Sequence, residues 1–156
     1  MKLSTKSTYG LRAMLAIAMK GRHEATSIAD IAEKESISVA YLEQLLNKLR
    51  HKGLVTSIRG PRGGYVLTKP AAEITVSDIV KALEGNIYPV HCVSAQKMPG
   101  SGCSMTKTCV PKLVWVKLAK AINDCLESVT LKDLCAEAAK IDTGEDHERV
   151  AKSISR

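Results

Sequence analysis

Residues 38–65 read SVAYLEQLLNKLRHKGLVTSIRGPRGGY, and this stretch decides the fold. Ser38 suits the N-cap of a helix, because its hydroxyl can accept from the backbone N–H groups of the first turn. Leu42, Leu45, Leu46 and Leu49 then recur at i, i+3, i+4 and i+7, an apolar stripe along one helical face. The opposite face carries Ala40, Glu43, Gln44, Asn47, Lys48 and His51. Arg50-His51-Lys52 place cations at the negative end of the helix dipole, and Gly53 stops the helix. Leu54 to Arg59 reads as a strand, Gly60-Pro61-Arg62-Gly63-Gly64 as a turn, and Tyr65 to Thr68 as the returning strand. From Gln44 to Ala72 there is no acidic residue, while Lys48, Arg50, Lys52, Arg59, Arg62 and Lys69 all fall there.

Working outward, Ser27 with Asp30 forms a capping-box pattern before Ile28, Ile31 and Ala32. Glu35-Ser36-Ile37 makes a tight turn into the helix that begins after Ser38. Two short helices joined in this way, the second polar on its exposed face and followed by a hairpin, form a winged helix-turn-helix. Upstream, Ser4, Thr5 or Ser7 can cap a first helix that ends near Lys20 and whose apolar positions include Leu11, Met14, Leu15 and Ala18. No acid precedes Glu24. Downstream, Thr75 and Asp78 cap a helix with Val76, Ile79, Val80 and Leu83 inward and Gly85 as its stop.

The charge distribution agrees with a polyanionic partner. The net charge is +7, and residues 1–85 hold 13 basic against 8 acidic residues. The polar face of the 38–51 helix offers the donors and acceptors that hydrogen-bond base edges and phosphates. Arg59, beside glycines that let the backbone come close, has the chemistry attracted into a narrow minor groove. Double-stranded DNA is the expected partner. With 45% hydrophobic residues but 3% aromatics, the core must be built from aliphatic side chains and Met.

A second amphipathic pattern begins at Pro111, a favoured first helical residue. Trp115, Leu118, Ile122, Cys125, Leu126 and Val129 recur at steps of three and four. Such a stripe beyond an already complete small domain needs a partner, and residues 111–129 read as a dimerisation helix. Folding back on its own domain is the alternative. Thr130 and Asp133 cap a short last helix with Leu131, Leu134, Cys135 and Ala138 on one face. Four segments follow: a winged-helix domain over 1–85, a cysteine-bearing loop over 86–110, the two helices of 111–140, and a disordered tail over 141–156. The fold class is mainly α with a small β-hairpin.

No signal peptide and no apolar run of about 18 residues is visible, so no membrane span and a cytoplasmic location are expected. Five cysteines in such a chain are metal-binding, redox-active or buried thiols rather than disulfides. Cys92, Cys103 and Cys109 share the 86–110 loop, where thiolates can converge on one soft metal centre. Cys125 and Cys135 lie on apolar faces and read as buried small hydrophobes. A thiol enzyme using His91 and Cys92 is a poor alternative, since sequence neighbours rarely face each other and no orienting third group is present.

These residues carry a resemblance. Ser38-Val39-Ala40-Tyr41-Leu42-Glu43-Gln44-Leu45, Ile58-Arg59-Gly60-Pro61-Arg62-Gly63-Gly64-Tyr65 and the three-cysteine loop before a long helix are similar to the IscR-like regulators, winged-helix transcription factors that sense iron–sulfur clusters or nitric oxide. The similarity runs from Met1 to about Ala139. It implies a homodimer, no enzymatic activity, and an iron–sulfur cluster ([2Fe–2S] ahead of [4Fe–4S]) held by Cys92, Cys103 and Cys109. It also implies DNA contacts by Ser38, Ala40, Tyr41, Glu43, Gln44, Lys48 and Arg50 on the helix and by Arg59, Gly60 and Arg62 in the wing. Glu43 can accept from cytosine N4 and repel phosphate, which suits a gate on site choice.

The chain departs from the family pattern in two places. Ten residues separate Cys92 from Cys103, where the best-known members have five, and Lys112 stands three residues after Cys109, where some members place a His. Others use an acid near the partner's N-terminus, but none precedes Glu24. The fourth ligand is then His91, a Ser or Thr oxygen, or a small exogenous thiol. Zinc binding or metal-free thiol sensing is the alternative reading of the loop.

Overall fold

The computed structural model describes residues 4–93 and 108–142, and of His91 and Asp142 the backbone alone. Among these residues the order is α1 (Thr5–Lys20), α2 (Ile28–Glu35), α3 (Val39–His51), β1 (Val55–Ile58), β2 (Gly64–Leu67), α4 (Val76–Glu84), α5 (Lys112–Glu127) and α6 (Leu131–Asp142). Two 3₁₀ turns, Ala71–Glu73 and His91–Val93, flank α4. The fold is a mainly α winged helix with one antiparallel hairpin, in which Val55 pairs with Leu67 and Ile58 with Gly64.

The leucine stripe of α3 forms the centre of the core. Leu42, Leu45, Leu46 and Leu49 are all buried and pack with Met14, Ile17, Ile31, Leu54, Val55, Leu67, Ile74 and Ile79. The expected N-caps form, although the Ser27–Asp30 pair closes only the Ser27 half of its expected capping box. Ser38 Oγ accepts from Tyr41 N at 3.3 Å, and Ser27 Oγ accepts from Ala29 N and Asp30 N. Thr75 and Asp78 make a reciprocal capping box, and Thr130 and Asp133 exchange the same bonds.

In α1 the buried line is Ser7, Gly10, Ala13, Met14 and Ile17, while Leu11, Leu15 and Ala18 are half-buried beside it. The reason is close helix packing. A Cβ on Gly10 would collide with Leu83 Cδ1, so the small residues of α1 mark where it seats on α4. Periodicity weighted by side-chain size selects the neighbouring leucines instead.

The α5–α6 turn is stitched to the start of α4. Val76 N donates to Val129 O and Leu131 N to Ile74 O, both at 2.9 Å, and Leu131 is fully buried. α6 therefore packs on α1 and on the Ala71–Glu73 turn. The helix also continues through Ile141 to Asp142, into the segment expected to be a tail; the remainder of that expectation, residues 143–156, lies outside the described residues.

Candidate nucleic-acid interface and cysteine segment

Burying one face of α3 presents the other to solvent. Ala40, Glu43, Gln44, Asn47, Lys48, Arg50 and His51 are exposed, as is the cap residue Ser38. The first turn of α3 holds no acid, so its free N–H groups and dipole favour an anion there. Tyr41 differs from its neighbours. It is half-buried, its ring meets Tyr9 edge-on with centroids 6.1 Å apart, and its hydroxyl lies 3.3 Å from Thr5 Oγ1. Its contacts within the chain make it a support for the α3 N-terminus.

The wing is built for close backbone approach. A Cβ on Gly64 would collide with the Thr26 carbonyl, which lets Thr26 and Tyr65 bridge through paired backbone bonds of 3.0 and 2.9 Å. Gly60 sits at φ +123°, a conformation that favours glycine, and Gly63 N closes the turn on Gly60 O at 2.9 Å. Arg59, Gly60 and Arg62 are exposed. Lys48, Arg50, Arg59 and Arg62 form no ion pair with another described residue, so their charge is available to a polyanion.

Two exposed apolar side chains on these elements escape periodicity arguments. Val39 at the start of α3 is 43% exposed and Ile58 at the end of β1 is 46% exposed. Each is off the buried stripe, and that mismatch is the signal that could have found them. Apolar groups there can meet thymine methyls or sugar edges.

The cysteine segment leaves α4 at Gly85. Cys92 lies in the His91–Val93 turn, which packs against α5, and Cys109 lies just before α5, its carbonyl accepting from Lys112 N at 3.2 Å. Both are half-buried free thiols. Cys103 and the His91 side chain lie outside the described residues, and among those described no three His, Cys, Asp or Glu converge as a metal site. Cys125 corrects an expectation: it is exposed rather than buried, because no element among the described residues covers it. Cys135 is half-buried, and burial pushes its thiol pKa up.

α5 itself is largely bare. Among its residues only Ala119 is fully buried, while Leu113 is 65% and Val114 60% exposed, with Trp115, Val116 and Leu118 exposed beside them. Its C-terminal half leans on α4 through a 2.9 Å Lys81–Glu127 ion pair. Among the described residues, Trp115, Leu118 and Cys125 of the stripe stay exposed, while Ile122, Leu126 and Val129 are half-buried.

The profile of the Rrf2 family, described as iron-dependent transcriptional regulators, matches residues 3–137. The chain belongs to the Rrf2 family. This Rrf2 regulator is 42% identical over 139 residues to protein rrf2 of Nitratidesulfovibrio vulgaris, covering 89% of this chain and 90% of that one. Among solved structures it is similar to CymR, the global cysteine regulator of B. subtilis, with a TM-score of 0.72 and 38% identity over 88% of this chain and 98% of that one. It is equally similar to T. potens IscR, with a TM-score of 0.71 and 37% identity over 88% of each chain. The chain is thus an IscR-like Rrf2 protein, a DNA-binding transcriptional regulator and not an enzyme. No helix among the described residues is long and apolar enough to cross a membrane.

Proposed function

We propose that this regulator binds operator DNA as a homodimer and that an iron–sulfur cluster on Cys92, Cys103 and Cys109 sets its affinity or site choice. The observation that carries the reading is the setting of α5. Half-buried Cys109 stands just before its first turn and half-buried Cys92 in a turn packed against it, while Leu113, Val114, Trp115 and Leu118 are open to a second copy. A set of soft thiolates suits an iron–sulfur cluster, which when bound supplies a centre sensitive to redox change and nitric oxide. The [2Fe–2S] form is proposed ahead of [4Fe–4S], with His91 a candidate fourth ligand. Oxygen ligands and small thiols are its competitors.

On the DNA side, Ser38, Ala40, Glu43 and Gln44 would face the major groove, and Arg59 the minor groove. Lys48, Arg50 and Arg62 would neutralise phosphates. Tyr41 would fix the first turn of α3, and Gly60 would let the wing backbone approach the duplex. Such a protein works in the cytoplasm.

Anaerobic purification followed by iron and sulfide analysis tests the cluster. Wild type should carry iron and sulfide in stoichiometric amounts with broad visible absorption. A triple variant (Cys92→Ala, Cys103→Ala, Cys109→Ala) should carry neither. A colourless wild-type protein, even after reconstitution, would overturn the cluster. A second reading is zinc binding or metal-free thiol sensing, and the similarity to Staphylococcus aureus CymR, solved in an oxidised form, favours the thiol sensor. Zinc in the colourless protein would support the first form of it, and reversible oxidation of the loop thiols the second.

A further inference from the structure

The first turn of α1 contains no acidic residue of its own, yet its N-terminus is not left unpaired. Glu84, the last residue of α4, reaches across to it. Its Oε1 accepts from Ser4 N at 3.0 Å, from Ser4 Oγ at 2.9 Å and from the buried Ser7 Oγ. Ser4 Oγ in turn accepts from Lys6 N at 3.2 Å as the N-cap. A carboxylate at a helix N-terminus satisfies orphan N–H groups and complements the dipole. Here it comes from a residue 80 positions away, which makes the cap a tertiary clasp.

The same turn of α1 supports the reading helix. Thr5 Oγ1 lies 3.3 Å from the Tyr41 hydroxyl, and Tyr9, one turn on, meets the Tyr41 ring edge-on. Tyr41 belongs to the first turn of α3, flanked by Ala40, Glu43 and Gln44. Tyr41 also packs against the core, and its edge-on ring contact and its hydroxyl contact both come from the helix whose N-terminus Glu84 anchors.

We propose that Glu84 is a positioning residue for DNA reading: it fixes the N-terminal turn of α1, which through Thr5 and Tyr9 holds Tyr41 and the first turn of α3 in register. This rests on the assignment of α3 as the reading helix. All three bonds converge on one oxygen, so an acceptor at that position carries the effect. Glu84→Gln can keep that acceptor, whereas Glu84→Ala removes it.

The experiment is a titration of full-length protein on a selected operator and on random duplex of equal length. Wild type, Glu84→Ala, Glu84→Gln, Tyr41→Phe, the Glu84→Ala/Tyr41→Phe pair and Gln44→Ala are compared well below their melting temperatures. Glu84→Ala should lose about three- to tenfold in operator affinity, with random-duplex affinity unchanged. Glu84→Gln should stay within about twofold of wild type, and the double variant should lose less than the product of the single losses. A residue that only stabilises the fold would move melting temperature without changing the ratio of operator to random binding. Undiminished operator preference in Glu84→Ala, with Gln44→Ala weakened, overturns the clasp alone. Undiminished preference in both overturns the α3 assignment and the clasp with it.

Discussion

α3 and α5 carry apolar stripes of similar spacing and put them to opposite uses. In α3 all four stripe leucines are buried inside the chain, while in α5 Leu113, Val114, Trp115 and Leu118 remain exposed. Periodicity shows that a helix has an apolar face but not what covers it. A stripe enclosed by α1, α2 and the wing folds the domain. One left open among the described residues is available for assembly.

The contrast can be broken most sharply at the centre of the core. Leu46→Ala should cost about 2–5 kcal/mol in urea unfolding, since a large cavity opens among packed neighbours. A loss below about 1 kcal/mol would mean that α3 is not the centre of the domain. The matching change on α5, Leu113→Asp, should leave the helical circular dichroism of the domain in place and turn a dimer into a monomer in sedimentation. A hot-spot position of this kind is worth roughly 2 kcal/mol or more of association. A dimer that survives the charge would remove α5 from the interface.

The exposed side of α3 and the wing give smaller effects. Arg59→Ala should weaken operator binding by roughly 1–3 kcal/mol and relax preference at the base step it reaches. Unchanged affinity would remove the wing from the interface. Glu43→Ala should broaden site choice by roughly 1 kcal/mol of discrimination, read from a site-selection profile. A profile identical to wild type would leave Glu43 without a gating role.

The smallest effect is a pH dependence. Burial pulls the Glu84 carboxyl up, but the hydrogen bonds from Ser7 and Ser4 outweigh it and hold it below the ordinary carboxylate value. A depressed pKa adds stability above the unfolded value, roughly 4.3 for Glu, and that stability is lost as pH falls through the folded value. In acid unfolding below about pH 4.3, wild type should therefore lose stability more steeply than Glu84→Gln. Equal slopes would show that the carboxylate charge contributes nothing.

The domain was legible because its signals are local. Ser38, the four leucines and Gly53 specify α3, and the acid-free stretch to Ala72 marks its partner. What the sequence hid depends on contacts between distant residues. The inward face of α1 follows from Gly10 seating on Leu83, and the exposure of Cys125 follows from the absence of a covering element among the described residues. The Glu84 clasp joins residues 80 apart, and no spacing rule reveals it. The cysteine ligand set rests on a resemblance because Cys92, Cys103 and Cys109 follow no metal-binding spacing of their own.

The most direct measurement is an anaerobic titration of one selected operator with cluster-loaded protein and with the same preparation after the cluster is removed. A regulator whose cysteine segment governs DNA reading should show affinities, or selected-site profiles, that differ between the two forms by about tenfold, or 1.4 kcal/mol. Identical affinities and identical profiles would contradict it, leaving a winged-helix DNA binder whose loop thiols do not control the operator.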